Sequence, residues 1–184
     1  KSDFFTIDKT REFSFLYHYK KALEFVNFKG KKRVLNLGVN RGDEFSVIKD
    51  MLDGKEFADI EFIGIDYSAS AIEFAKKEFS HCENVEFICH DINALSELEL
   101  GKFDLIVSIG TLQSSNISFN ATFMFIYQNY LAEGGAMLLG FPNCRWIDGE
   151  MVYGAKAPNY SFNEMSLVLK DIHFCKKYLQ QKKY

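Results

Sequence analysis

Hydrophobic positions along the chain follow two spacings, short unbroken runs and stretches where they recur every three or four residues, which predict buried strands and amphipathic helices respectively. In "REFSFLYHYKKALEFVN", residues 11–27, Leu16, Tyr19, Leu23 and Val26 share one helical face, and the helix is expected to end before the "FKGKK" turn. A strand is predicted over 33–37. Phe45, Ile48 and Leu52 then mark a helix closed near Asp53 and Gly54. The run "IEFIGID" is apolar almost throughout, as in a strand covered on both faces. A helix follows from Ser68, with Ser70 and Glu73 at the spacing of a capping box.

The alternation continues through strand "VEFICHD", a short turn around "INALSEL", strand "FDLIVSI", a helix over 119–133 and strand "AMLLGF" after Gly134 and Gly135. Five apolar strands separated by helices require parallel crossovers. The expected fold is α/β, a doubly wound and mostly parallel sheet with helices on both faces. After Pro142 the chain becomes polar, aromatic and glycine-punctuated, "NCRWIDGEMVYGAKAPNYS", which reads as a long loop suited to a lid. A last helix is expected from about Phe162, with Ser161 and Glu164 at capping-box spacing and Val168, Ile172, Cys175 and Leu179 on one side. One domain over residues 1–184 is predicted: an N-terminal helix in 11–30, a strand-rich core in 31–141, and the loop with the last helix in 142–184.

Composition narrows the function classes. The 184 residues carry a net charge of -3, which gives no basic footprint for nucleic acid. Cys82, Cys89, Cys144 and Cys175 are scattered without a C-x-x-C pair, so neither a zinc site nor a disulfide framework is suggested, and a cytoplasmic location fits. No apolar run approaches the roughly 20 residues that span a bilayer, and the start "KSDFFTIDKT" lacks the apolar stretch of a signal peptide.

In open parallel sheets ligands sit at the carboxyl ends of the strands. Those ends offer Gly38, Asn40 and Gly42 after the first strand, Asp66 after the second, Asp91 after the third and Ser108 to Thr111 after the fourth. Glycines let backbone approach a ligand, and the following helix points free N–H groups at it. An acid at the second strand end suits two ribose hydroxyls, and one after the third suits an adenine amino group. The turn "GVNRG" lacks the third glycine of a dinucleotide fingerprint and runs into Asp43 and Glu44. Two carboxylates would repel a pyrophosphate but favour a cationic sulfonium or ammonium.

The segments "VLNLGVNRG", "FIGIDYSASAIEFAKK", "VEFICHDINAL", "FDLIVSIGTLQ" and "YLAEGGAMLLGF" together resemble the successive motifs of class I S-adenosylmethionine-dependent methyltransferases. The resemblance covers residues 31–141 and keeps the family's order, with 24 positions from Gly42 to Asp66 and 25 from Asp66 to Asp91. It implies S-adenosyl-L-methionine as cofactor, the backbone around Gly38, Asn40 and Gly42 along its methionine and ribose part, and Asp66 on the ribose hydroxyls. It further implies Tyr67 against the adenine, Asp91 on the adenine amino group with Ile92 beside it, and Ser108 facing the methionine end. In this family the sheet finishes with two further strands after the last helix, so the sequence is a fragment or its sheet is shortened.

Two departures stand out. Asn36 occupies the place of a family acid that holds the cofactor's ammonium, and Asp43 or Glu44 is expected to replace its charge in part. Asn40 replaces the middle glycine and is the side chain that best tolerates left-handed backbone there. Methyl transfer from a sulfonium is mostly placement, so no catalytic acid or base is singled out; Tyr17, His18, Tyr19 and Tyr153 are candidates for lining the acceptor side.

Plainer readings stand beside these. Asp66 taken alone suits a helix N-cap, though its strand end favours the ribose role, Asp91 equally suits the cap of the short helix after it, and His18 suits a packed or surface position. The acidic balance favours a small-molecule acceptor, which Gln113 or the long loop would contact. A tRNA or rRNA methyltransferase and a non-catalytic cofactor-binding or scaffold protein are the alternatives. The expected state is a monomer or a homodimer.

Overall fold

The computed structural model describes residues 9–114, 116–141, 144–147, 150–153 and 164–182. Its centre is a sheet of β1 (Arg33–Leu37), β2 (Glu61–Asp66), β3 (Val85–Cys89), β4 (Phe103–Ile109) and β5 (Leu131–Gly140). The strands lie in the order β3-β2-β1-β4-β5 and every pairing is parallel, with Leu35 opposite Ile63 on one side and Ile106 on the other. Chain order reverses on the two sides of β1, so the tips of β1 and β4 form the switch point of the sheet.

Strand periodicity divides the interior in two. Val34, Phe62, Phe87, Leu105 and Val107 face one layer with Tyr19 and Leu23 of α1 (Phe13–Phe25) and Phe45 and Ile48 of α2 (Asp43–Met51). Leu35, Leu37, Ile63, Ile65 and Ile106 face the other, against Phe123 and Ile126 of α5 (Phe119–Asn129) and Cys175 of α6 (Glu164–Gln181). Phenylalanine fills much of the first layer: the Phe57 and Phe62 rings stack at 4.7 Å, and Phe45 lies 5.1 Å from Phe62. Each such buried side chain contributes roughly 1.5–3 kcal/mol. The doubly wound, mostly parallel α/β sheet expected from the pattern is the one observed, and β5 is the last of its strands among the described residues.

Local departures have local causes. An unforeseen short helix, α3 (Gly54–Ala58), follows α2 because Asp53 and Glu56 form a reciprocal capping box, at 2.7 and 3.1 Å. The capping box read at Ser70 and Glu73 does not form, since α4 (Ala69–Glu78) begins one residue before Ser70, and its N-cap Ser68 makes no side-chain cap bond. The helix expected to reach Glu133 stops at Asn129, and the chain enters β5 five residues before the expected start. There the ladder slips from Phe103–Leu131 to Leu105–Ala136, an irregularity that takes up Gly134 at φ +69°. Within the segment read as a loop, β6 (Cys144–Ile147) and β7 (Glu150–Tyr153) pair antiparallel. Ser161, expected to cap the last helix, lies outside the described residues.

A cavity of about 260 Å³ opens between the end of α4 and the start of β3, lined by Lys76, Phe79, Glu86 and Phe87. It sits toward the amino end of β3, and the carboxyl tips of the strands contribute nothing to its lining.

Candidate functional site

The turn after β1 is left-handed three times, at Gly38 (φ +77°), Asn40 (φ +47°) and Gly42 (φ +88°). Asn40 therefore takes the conformation that glycine would otherwise supply. Two tethers bind this turn to β2: the N–H groups of Gly38 and Val39 donate to the Ile65 carbonyl at 2.8 and 3.1 Å, and that of Asn40 donates to Asp66 Oδ2 at 2.9 Å. A third contact comes from β4's side. A Cβ built on Gly38 would lie 1.9 Å from Thr111 Oγ1, so the turn and the segment after β4 touch through the missing side chain. Arg41 rests on the Phe74 ring of α4 at 4.3 Å. The tips of β1, β2 and β4 thus meet at one place.

Asp66 is buried at that meeting point, with Oδ1 accepting from the Ser68 N–H at 2.9 Å. Each carboxylate oxygen holds one backbone donor and retains acceptor capacity for another. Burial raises its pKa above the ordinary 3.8, opposed by the two backbone N–H groups and by the charge of Lys9. Tyr67, next in sequence, is exposed. Asp91 is exposed as the N-cap of a 3-10 turn over Ile92–Glu97, its Oδ1 accepting from the backbone N–H of Asn93 at 2.8 Å and from that side chain at 3.0 Å. Ile92 packs into the second core layer. Ser108 is buried and donates from Oγ to the Leu37 carbonyl at 3.0 Å, a bond that joins β4 to β1. Of the acids at strand ends, Asp66 is thus the one fastened to the glycine turn.

The first turn of α2 holds a second group of polar residues. Asp43 and Glu44 are both buried, the latter at 1% exposure. Lys9, from a 3-10 turn over Lys9–Arg11, donates its backbone N–H to Asp43 Oδ2 at 2.9 Å and its ammonium to Glu44 Oε1 at 2.6 Å. Glu44 Oε2, both amide atoms of Asn36 and the Tyr19 hydroxyl are buried without a hydrogen-bond partner. Unpaired buried polar atoms are costly, so their grouping in one layer marks a place suited to a polar ligand. Burial, and then the Glu44 carboxylate, push the Tyr19 phenol well above its ordinary pKa, so it stays a neutral donor rather than a base. Tyr17 and His18 point outward, while the side chain of Tyr153 lies outside the described residues. Gln113, in the segment after β4, is buried with its Oε1 unpaired.

Lys9 went unnoticed in the sequence because 35 positions separate it from Glu44 and no periodic signal links them. The acidic set matches a nucleoside bearing a cationic end and opposes a pyrophosphate. Among the described residues no group of three or more His, Cys, Asp or Glu side chains is placed to hold a metal ion, and no helix is long and apolar enough to cross a membrane.

Comparison with known proteins bears on the family and the fold. A family model described as a methyltransferase domain matches residues 28–182. Among solved structures, coclaurine N-methyltransferase bound to N-methylheliamine and SAH superposes with a TM-score of 0.55 at 17% identity, covering 67% of this chain and 34% of that one. The plantazolicin methyltransferase BpumL, in complex with a monoazolic desmethylPZN analogue and SAH, gives 0.53 at 18% identity, over 67% of this chain and 46% of that one. PKMT2 from Rickettsia typhi, in complex with AdoHcy, gives 0.51 at 23% identity, over 61% of this chain and 21% of that one. At these identities the likeness is one of fold, and the chain spans less than half the length of each. No curated protein matches the sequence.

Proposed function

The chain belongs to the methyltransferase domain family, and on that premise we propose that it binds S-adenosylmethionine at the tips of β1 to β4 and transfers the methyl group to a nucleophile on a small-molecule acceptor. The observation that carries this reading is the thrice left-handed turn of Gly38, Asn40 and Gly42, fastened by the Asn40 N–H to the buried carboxylate of Asp66. Asp66 keeps acceptor capacity for ribose hydroxyls, and the exposed Tyr67 and Asp91 leave the adenine end toward solvent. Gly38, Asn40 and Gly42 bring backbone close to the nucleoside, while Ile92 and Ser108 support the floor from beneath.

When bound, the cofactor supplies a methyl already activated on a cationic sulfur. What remains for the protein is to orient the acceptor and exclude water. Gln113 Oε1, buried and unpaired beside Thr111, is the group we assign to the acceptor as a hydrogen-bond acceptor for its O–H or N–H. Of the solved structures named above, one holds N-methylheliamine and another a monoazolic desmethylPZN analogue, each beside SAH, and the net charge of -3 disfavours a polyanion.

Isothermal titration with S-adenosylhomocysteine tests the cofactor: heat and a raised melting temperature are expected, and neither at millimolar ligand overturns the reading. A panel of small amines, phenols, thiols and carboxylates, run beside bulk RNA, tests the acceptor. RNA retention that falls steeply with salt, together with methyl transfer to RNA, would overturn the small-molecule reading.

A further inference from the structure

The cofactor proposed above ends in an amino acid, which carries an ammonium and a carboxylate together. We propose that Lys9 and Glu44 form a split clamp for that zwitterion, Glu44 taking the ammonium and Lys9 the carboxylate, and that in the free protein the two close on each other. This inference rests on the cofactor reading and adds to it a residue outside the 28–182 span that the family model matches.

Three observations carry it. First, the pair is short and shielded: Nζ to Oε1 is 2.6 Å, and the side chains are 19% and 1% exposed. A carboxylate that deep is not left without a cation, because a buried unpaired charge costs several kcal/mol. Lys9 therefore gives up Glu44 only to an incoming cation, and it must then find an anion of its own. A zwitterion supplies both, so every charge is paired before and after binding.

Second, polar capacity in this layer exceeds what the protein uses. Glu44 Oε2, the Asn36 amide and the Tyr19 hydroxyl have no partner. Asn36 alternates with Leu35 and Leu37, which face the other layer, and so it faces the layer holding Tyr19 and Phe45. Its neutral amide offers an oxygen where a charge would otherwise be needed, and Glu44 supplies the charge.

Third, the hinge is built in. The Lys9 backbone is held by Asp43 Oδ2 at 2.9 Å, independently of its ammonium. The four-carbon side chain can swing off Glu44 while the main chain stays docked on α2. Asp66 lies close enough to feel the Lys9 charge, which puts the clamp beside the proposed ribose site.

The test compares three ligands by titration calorimetry: S-adenosylhomocysteine, its decarboxylated amine, and 5′-methylthioadenosine, which lacks the whole amino-acid end. On the wild-type chain, loss of the carboxylate should weaken binding by about tenfold or more, the scale of a hydrogen-bonded charge. In Lys9→Met that loss should shrink to little or nothing, while 5′-methylthioadenosine binds both proteins alike. Lys9→Arg should restore most of the discrimination. If Lys9→Met is poorly folded, the double variant Lys9→Met with Glu44→Gln removes both buried charges and serves instead, with the same expectation for the carboxylate. An unchanged carboxylate effect in these variants overturns the clamp. If the wild-type chain binds none of the three ligands, the cofactor reading itself fails; if it binds them and Lys9→Met is indifferent, only the clamp fails.

Discussion

The backbone N–H of Asn40 donates to Asp66 Oδ2 at 2.9 Å, so the turn that follows β1 is held by the residue that ends β2. With the Ser68 N–H on Oδ1, also at 2.9 Å, the carboxylate bridges two loops at once. Asp66→Asn keeps the shape but turns one acceptor into an NH₂ donor facing a backbone donor. We expect a stability loss of about 1–3 kcal/mol, tempered by relief of the buried charge. Affinity for S-adenosylhomocysteine should drop at least tenfold. Denaturant titration and calorimetry check both, and an affinity equal to wild type would remove Asp66 from the ribose site.

The same carboxylate gives a pH signature. Desolvation raises the Asp66 pKa above 3.8 in the folded chain. A carboxyl group raised on folding contributes stability that is full below the unfolded value and is lost as pH rises through the folded value. Relative to Asp66→Asn, the wild-type protein should therefore gain stability on acidification through the window just above 3.8. Hydroxyl donors of a bound ribose favour the ionised form, so nucleoside affinity should move the other way and weaken on acidification through that window. Melting curves and titrations over the acid range would show the two trends crossing; parallel trends would mean that the ligand does not touch Asp66.

How far these relationships were legible follows from the range over which each is encoded. β1 and β4 were delimited to the residue because each is a short, mostly apolar stretch between charged and glycine-rich flanks, too short for a helix and of the composition that a strand buried on both faces carries. The start of β5 was not, because Leu131 to Gly135 carries a glycine pair that reads as a turn, while the sheet absorbs it as an irregularity against β4. The site divides in the same way. Gly38, Asn40, Gly42 and Asp66 announced themselves through spacing and conformational preference, which are local. Lys9 did not, since its meaning depends on a partner in another element. Asn36 was visible as a departure, but the orphaned state of its amide exists only in the packed layer.

Thiol chemistry offers a check that needs no substitution. Cys89 is exposed at the tip of β3, opposite Asp66 in the ladder, with Sγ 3.6 Å from the Tyr67 carbonyl. Cys175 is buried on α6, and burial together with nearby Asp171 pushes its thiol up to about 12. Iodoacetamide at mildly alkaline pH should label Cys89 well before Cys175, as read by peptide mass spectrometry. S-adenosylhomocysteine should slow the labelling of Cys89 and leave Cys175 unaffected. Fast labelling of Cys175 in the native protein would contradict the packing of α6 on α5.

Gly38 tests whether the meeting of strand tips is structural as well as functional. Its φ of +77° alone makes a side chain cost about 1–2 kcal/mol. A Cβ there would also fall 1.9 Å from Oγ1 and 2.6 Å from Cβ of Thr111, so Gly38→Ala must push the segment after β4 away. The combined loss should be about 2–5 kcal/mol, since the strain contributes about 1–2 kcal/mol and overpacking about 1–3 kcal/mol. Thr111→Ala removes Oγ1 but keeps Cβ, and so should rescue only part of the loss. Thr111→Gly should rescue more, leaving the backbone strain as the remainder. Asn40→Ala, at φ +47° and with a Cβ already in place, should add backbone strain of about 1–2 kcal/mol without such a clash. Chemical denaturation of the set separates the two contributions; equal losses for Gly38→Ala and Asn40→Ala would mean that Thr111 moves freely and the tips are not braced against each other.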